Sequence, residues 1–305
     1  MNLFLEVSTG AVRGGTSILF AALGETIAER AGVINLGTEG SMLAGALTAY
    51  AVTAQTGSPW VGVIAGACAG GLMALVHAIM VVRYRTNQLA TGLVVLFLGL
   101  GLTSLFGASY VSEIIKPFKT WKVPGLGSLP WIGDIFFNQD PLVYLSYFAA
   151  PAVWWLLYRT RAGLLLRSAG EQPDALSAYG YSPSLVQIIA VTVGGMFAGI
   201  GGAQLSTAYA NAWFENMTQG RGFIAVALVI FAAWDPIKAV FGAYLFGAAL
   251  TLGPALQARG YGLNQFALDV LPYVMTLLAL VLFGRKRVDH APEGLKSVFE
   301  LAPSS

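Results

Sequence analysis

Residues 60–82 read WVGVIAGACAGGLMALVHAIMVV, twenty-three positions without a formal charge. A helix of about 20 mostly apolar residues crosses ~30 Å of hydrocarbon, so this stretch alone predicts a membrane span. The same ruler laid along the chain places spans near 14–29, 37–54, 60–82, 88–111, 142–159, 185–208, 221–234, 237–256 and 266–284. The expected fold class is all-α, a polytopic transmembrane helix bundle of about nine spans, with eight and ten as the bounds. Composition agrees, since 56% of the 305 residues are hydrophobic and 10% charged, against about 25% charged in soluble domains.

The chain reads as one transmembrane domain over 1–305, with an outer loop at 112–141, a cytoplasmic loop at 160–184 and a cytoplasmic tail at 285–305. Basic residues set that orientation, because cytoplasmic loops are enriched in Lys and Arg. Arg83 and Arg85, then Arg159, Arg161 and Arg167, then Arg285, Lys286 and Arg287 follow the third, fifth and ninth spans. On this reading eleven basic residues lie inside and six outside, with the amino terminus outside and the carboxyl terminus in the cytoplasm. Pro117, Pro124, Gly125, Gly127, Pro130 and Trp131 mark the outer loop as an ordered cap. The opening MNLFLEVSTGAVRGG lacks a basic start and a small-residue cleavage site, so the first apolar run is expected to stay in the mature protein.

Gly62, Gly66 and Gly70, and again Gly195 and Gly199, recur every fourth residue and form small faces on which helices approach closely. They are read as packing within the chain, with a subunit interface as the alternative. Cys68 has no partner cysteine and is read as a small core residue. His77 is read as a hydrogen-bonded core residue, and with His290 it cannot form an HExxH-type metal pair. There is no GxxxxGK[ST] phosphate loop and no GxSxG elbow. The chain is therefore expected to be a transport component rather than an enzyme, with no metal or cofactor, drawing its energy from a partner or an ion gradient.

Between the fifth and sixth spans lies RTRAGLLLRSAGEQPDALSAYGYSPSLVQ, residues 159–187. Pro173 with Asp174 suits a helix start and Gly180 its end, which predicts a short helix lying across the cytoplasmic face. A plain connecting loop is the alternative.

Residues 170–180, GEQPDALSAYG, resemble the GENPxAAxxxGI coupling segment in permease subunits of ABC importers for simple sugars, nucleosides and branched-chain amino acids. LGETIAERAGVINLGTEGSMLAGA, residues 23–46, is similar to the ERxGxxNLGxEG signature of the nucleoside-type branch. GRGFIAVALVIFAAWDPIKAVFGAYLFGA, residues 220–248, resembles the family's GxGFxAIAVALLGxxxPxGxxxxALLFGA block. The chain departs from these patterns at Thr38, at Tyr181 and at Ala232-Ala233-Trp234-Asp235, which replaces a Gly-rich turn. The resemblance implies an ABC importer permease fold working with a cytoplasmic ABC ATPase, a second, non-identical permease subunit and an extracytoplasmic solute-binding lipoprotein. It implies location in the bacterial cytoplasmic (inner) membrane, in contact with membrane lipid, and a small-molecule solute; nucleic acid is not an expected partner. It also assigns Gly170, Glu171, Pro173, Asp174, Ala175, Ala178 and Gly180 to contact with the ATPase.

Two further groups of polar residues call for an explanation. Arg30, Asn35 and Glu39 are read as a structural polar knot at a helix break, with Arg30 the expected partner of Glu39. Gln204, Ser206, Asn211, Trp213, Phe214 and Glu215 are read as solute-pathway residues, offering hydrogen bonds and flat faces for a base or sugar. Arg221 is an alternative docking point for the binding protein. Nucleosides, purine-type first, are the expected solutes; a simple sugar or a flavin-like heterocycle is the rival within the class. An ion-coupled secondary transporter is the rival outside it, and would need Glu25, Glu39 or Asp269 to titrate.

Overall fold

The computed structural model describes residues 3–111, 113–260, 270, 274, 277 and 292–295. Eleven α-helices are defined within them: α1 Leu3–Arg30, α2 Thr38–Thr56, α3 Pro59–Ala78, α4 Gln88–Gly107, α5 Ile132–Phe136, α6 Pro141–Arg159, α7 Arg161–Glu171, α8 Pro173–Ala178, α9 Pro183–Gln204, α10 Arg221–Phe231 and α11 Pro236–Gln257. A widened π turn extends α3 through Ile79–Arg83 and another extends α9 through Leu205–Tyr209. Among the described residues, five helical stretches are long and apolar enough to cross a membrane: Pro59–Arg83, Gln88–Tyr110, Pro141–Arg159, Pro183–Tyr209 and Pro236–Gln257. Most of the ninth expected span, Asp269 within it and most of the tail lie outside the described residues.

The helix starts follow from local chemistry. Asp140 accepts from the amides of Leu142 and Val143 at 3.0 and 3.1 Å, and Asp235 accepts from Ile237 and Lys238 at 2.9 and 3.3 Å. A proline follows each at the first helical position, where its missing N–H costs nothing. Burial pushes the Asp140 carboxyl above the usual carboxylate range, and the two amides partly offset it. At its other end α1 closes on Gly32 at φ 88°, with Val33 N–H donating to Ala28 O and Gly32 N–H to Glu29 O, the paired bonds of a glycine-terminated helix.

The seventh predicted span is the main departure. Its helix, α10, has 11 residues, a rise of ~16 Å at 1.5 Å per residue. That is about half of the ~30 Å hydrocarbon. The chain before it does not stay at the bundle's end: Met217 packs with Ala46, Leu47 and Tyr50, and Thr218 bonds Glu39. Residues 210–220 therefore descend alongside α2 as a non-helical, re-entrant segment.

α1 runs through the middle of the bundle, buried from Ala11 to Glu29 apart from Arg13. α9 lies antiparallel to it, Gly201 against Ser17 and Gly194 against Gly24, and α11 seats Gly247 against Ala11 and Gly15. α3 and α9 meet through the predicted glycines: a Cβ on Gly70 would lie 2.4 Å from Gly195 O, and one on Gly199 would lie 2.3 Å from Gly66 O. The small faces thus serve packing within the chain. Cys68, by contrast, is exposed on the outward side of α3. His77 is fully buried, with Nε2 3.0 Å from Ile34 O.

Residues 113–141 carry a small hairpin. Trp121–Lys122 pairs antiparallel with Asn138–Gln139 as strands β1 and β2, and Arg13 ties the hairpin to α1 through Gln139 Oε1 at 2.7 Å and Asn138 O at 3.1 Å. Trp121 and Trp131 are exposed there, a usual position for aromatic residues near a membrane interface.

Two glycine substitutions separate packing from propensity. Gly199→Ala should abolish a monodisperse peak in detergent size-exclusion chromatography, because its Cβ meets backbone at 2.3 Å. Gly101→Ala in α4, where nothing lies within 4 Å, should keep the peak and gain roughly 0.5–1 kcal/mol from helix propensity.

Candidate functional site

Three buried glutamates organise the interior. Glu25, on α1, accepts from Asn35 N–H at 2.7 Å and from Thr38 Oγ1 at 2.8 Å, holding the start of α2 beside α1. Glu39, at the start of α2, accepts from Thr218 Oγ1 at 2.5 Å, Gly220 N–H at 2.8 Å and Gly222 N–H at 2.5 Å. A carboxylate here meets the free amides and the positive end of the α10 dipole together. Glu29 accepts from Trp234 Nε1 at 2.5 Å, pinning the α10–α11 turn to α1. Each glutamate on one helix thus answers the donors at a break elsewhere in the chain.

This arrangement corrects the expected pairing. Arg30 does not reach Glu39; it donates to Trp234 O at 3.3 Å and to Tyr158 Oη at 3.0 Å, with its guanidinium 5.9 Å from the Tyr158 ring centre. Asn35 does belong to the knot, since its Oδ1 accepts from Gly37 N–H at 3.0 Å. The departure at Thr38 supplies a hydroxyl to Glu25. In the 232–235 turn Ala233 and Trp234 take φ of 54° and 56°, so residues with a Cβ occupy the left-handed conformation that the family's glycines suit. The Trp234–Glu29 bond holds that turn.

The expected solute residues fall into two sets. Gln204, Ser206 and Trp213 are buried. Gln204 donates to Arg13 O at 3.2 Å, Ser206 donates to Ala46 O at 2.9 Å, and Trp213 packs against Gly107 at the far end of α4. Asn211, Phe214 and Glu215 are exposed on the re-entrant segment. Arg221 is 6% exposed, with its guanidinium 5.8 Å from the Tyr209 ring centre and Nη1 donating to Met217 O. It is too enclosed to dock another protein.

At the opposite end from the hairpin, α7 and α8 form a shelf. Pro173, Asp174, Ala175, Ala178 and Gly180 are exposed, Leu176 anchors α8 inward, and Gly180 at φ 83° ends it. A groove of ≈ 720 Å³ runs between the two helices, lined in part by Arg161, Leu164, Glu171, Leu176 and Tyr179. Gly170 lies beneath this surface: a Cβ there would sit 2.4 Å from Arg30 O and 2.9 Å from Gly32 N. Gln187 Nε2 donates to Ala31 O at 3.1 Å alongside. The exposed helix α8 is thereby joined, through the end of α7, to the turn that precedes the glutamate knot. Glu25, Glu29, Thr218, Gly222 and Trp234 complete that knot; Thr218 and Gly222 lie 179 and 183 positions from Glu39 and Trp234 lies 205 from Glu29, separations that gave no spacing signal, whereas Glu25 bonds Asn35 and Thr38 only 10 and 13 positions away.

Comparison with known proteins places these features in a family. Residues 8–283 match the profile described as "Branched-chain amino acid transport system / permease component". Over 273 residues, 88% of this chain and 82% of the relative, the sequence is 44% identical to TsgC13 of Haloferax volcanii, provisionally named a glucose ABC transporter permease protein. It is 34% identical to the guanosine ABC transporter permease protein NupQ of Bacillus subtilis, over 87% of this chain and 88% of that one. It is 31% identical to the nucleoside ABC transporter permease protein NupC of Lactococcus lactis, over 93% of each. In each of these organisms a second permease matches at 24% identity.

Glu39→Gln tests the knot. An amide fills the same space but turns an N–H₂ toward amides that need acceptors, so the protein should lose about 2–3 kcal/mol, the scale of a hydrogen bond to a charged group. Thermal unfolding in detergent should show a drop of several degrees, and an unchanged midpoint would contradict the capping role.

Proposed function

The chain belongs to the branched-chain amino acid transport system permease-component family, among ABC permeases related to nucleoside and sugar importers, and on that premise we propose that it is one of two non-identical membrane subunits of an ATP-driven importer. The observation that carries the reading is the exposed α8, rooted through Gly170 on the Gly32 turn. A small helix that projects from the shelf and is clamped to the core can receive a push from a cytoplasmic ATPase and deliver it to the break between α1 and α2. Asp174, Ala175 and Ala178 would touch the ATPase, with Glu171, Pro173 and Gly180 shaping the segment around them. The α7–α8 end then faces the cytoplasm and the hairpin end faces the binding lipoprotein, with the amino terminus outside.

The second-subunit reading is supported by identity. This chain is 44%, 34% and 31% identical to one permease of each of the three organisms and 24% identical to another. A homodimer would give no reason for two such classes.

For the solute we propose a nucleoside, purine-type first, on the ERAGVINLGTEG signature and the guanosine and nucleoside relatives. Asn211, Phe214 and Glu215 are the accessible pathway candidates, while Gln204, Ser206 and Trp213 would shape the segment that presents them. The 44% identity to TsgC13 favours a monosaccharide as the second reading. Secondary transport has less support, because the carboxylates of Glu25 and Glu39 are engaged with fixed hydroxyl and amide donors.

Reconstituted with its ATPase and second permease, an Ala178→Glu variant should insert normally and leave ATP hydrolysis measurable while solute uptake falls about tenfold, the effect of losing ~1.4 kcal/mol of coupling. Unchanged uptake per ATP would remove α8 from the coupling path. In cells, competition of labelled guanosine uptake by unlabelled adenosine but not glucose would support the nucleoside reading, and the reverse pattern, saturable glucose uptake indifferent to nucleosides, would replace it.

A further inference from the structure

We infer that the turn Pro292–Leu295 is a latch that positions the root of the coupling segment, an inference that rests on the coupling role proposed for α8. Four observations meet there. Leu295 is fully buried, in a cluster with Ile34 and Val226 that Leu36 and Leu89 join. Gly294 lies so close that a Cβ would be 3.0 Å from Gly170 O and 3.6 Å from Gly32 Cα. Glu293 N–H donates to Glu171 Oε2 at 3.2 Å. Leu295 N–H closes the turn on Pro292 O at 2.9 Å, and Pro292 is buried as well.

One short turn therefore touches the end of α7, the α1–α2 turn, the start of α4 and the half-helix α10. These elements come from four separate parts of the sequence, and the latch closes over the place where Gly170 meets Gly32. Without it, that joint would keep the Gly170 contact, the Gln187 bond to Ala31 O and the packing of Leu166 beside Ala31, but nothing among the described residues would close over it from the α4 and α10 side. A push on α8 would then be partly spent in opening the joint rather than in moving α1, α2 and α10 together. Leu295 acts as the pin, and the Glu293 amide fixes the turn to Glu171. Both are positioning residues, since neither lies on the exposed coupling face that would meet the ATPase.

The test uses the complete permease pair with its ATPase in proteoliposomes, and two readouts. The first is solute transported per ATP hydrolysed. The second is labelling of Ile34→Cys, in a Cys68→Ser background, by a membrane-impermeant maleimide applied from the ATPase side; Ile34 is 4% exposed when the latch is closed. Leu295→Ala should raise the labelling rate about tenfold and lower transport per ATP several-fold, because truncating a buried leucine leaves a cavity where the pin sat. Leu295→Met should restore both readouts. Glu293→Pro, which removes the donated amide without opening a cavity, should shift transport per ATP in the same direction and serves if Leu295→Ala does not fold. Wild-type transport per ATP in the folded Leu295 and Glu293 variants would overturn the latch. Ala178→Glu run alongside separates the two ideas: if it uncouples while the latch variants do not, only the latch fails, and if it has no effect, the coupling reading fails and takes the latch with it.

Discussion

A helix that begins inside hydrocarbon leaves amide donors with no water to bond, and each unanswered donor costs several kcal/mol. The structure meets that constraint with carboxylates. Glu39 takes three donors at the start of α10, Glu25 takes two beside the start of α2, and Glu29 takes the indole N–H at the turn after α10. Remove these acceptors and the chain has no reason to break where it does. Buried carboxylates are themselves costly, so the breaks and the glutamates stabilise one another only as a set.

The glycine faces make that set geometrically possible. Gly222 must lie against the Glu39 backbone, where a Cβ would come within 2.5 Å of Glu39 Cα, for the α10 amides to reach the carboxylate. On the other side of α2, Gly45 meets Gly199 and Gly66, which brings α2, α3 and α9 into one tightly packed block. Close approach of this kind replaces the hydrophobic drive that lipid cannot provide between helices. The block presents the start of α2, and with it Glu39, at a fixed place.

Much of the fold was legible because its signals are local. Apolar runs and the turn formers of 112–141 each act over a few residues, and the spans predicted at 37–54, 60–82, 88–111, 142–159, 185–208 and 237–256 begin or end close to observed helices. The short helix α8, started at Pro173 and ended at Gly180, was legible for the same reason. What could not be read is set by partners far along the chain. Glu39 and Gly222 are 183 positions apart, and Glu29 and Trp234 are 205. Proximity in sequence instead suggested Arg30 for Glu39. The run 221–234 had span-like composition, yet its first amides are capped at depth, so apolarity alone could not distinguish a half-helix from a crossing. Cys68 was misread as core because every face of α3 is apolar and composition does not say which one meets neighbours.

The same bonds constrain how the molecule can move. Because Glu39 is part of α2 and takes three donors at the head of α10, α2 and the start of α10 must shift as one body. Hydrogen bonds to a charged acceptor are worth about 1.5–3 kcal/mol each, more than a rocking motion between states a few kcal/mol apart would break. Gly220, at φ 80°, lies inside this body, held by the bond from its N–H to Glu39 Oε1, so the positive-φ glycine that borders the body is Gly32 at φ 88°, between α1 and α2. Gly32 is also where Gly170 rests. The shelf therefore meets the stitched body at its Gly32 border, and the re-entrant segment with Asn211 and Phe214, bonded to Glu39 through Thr218, belongs to that body.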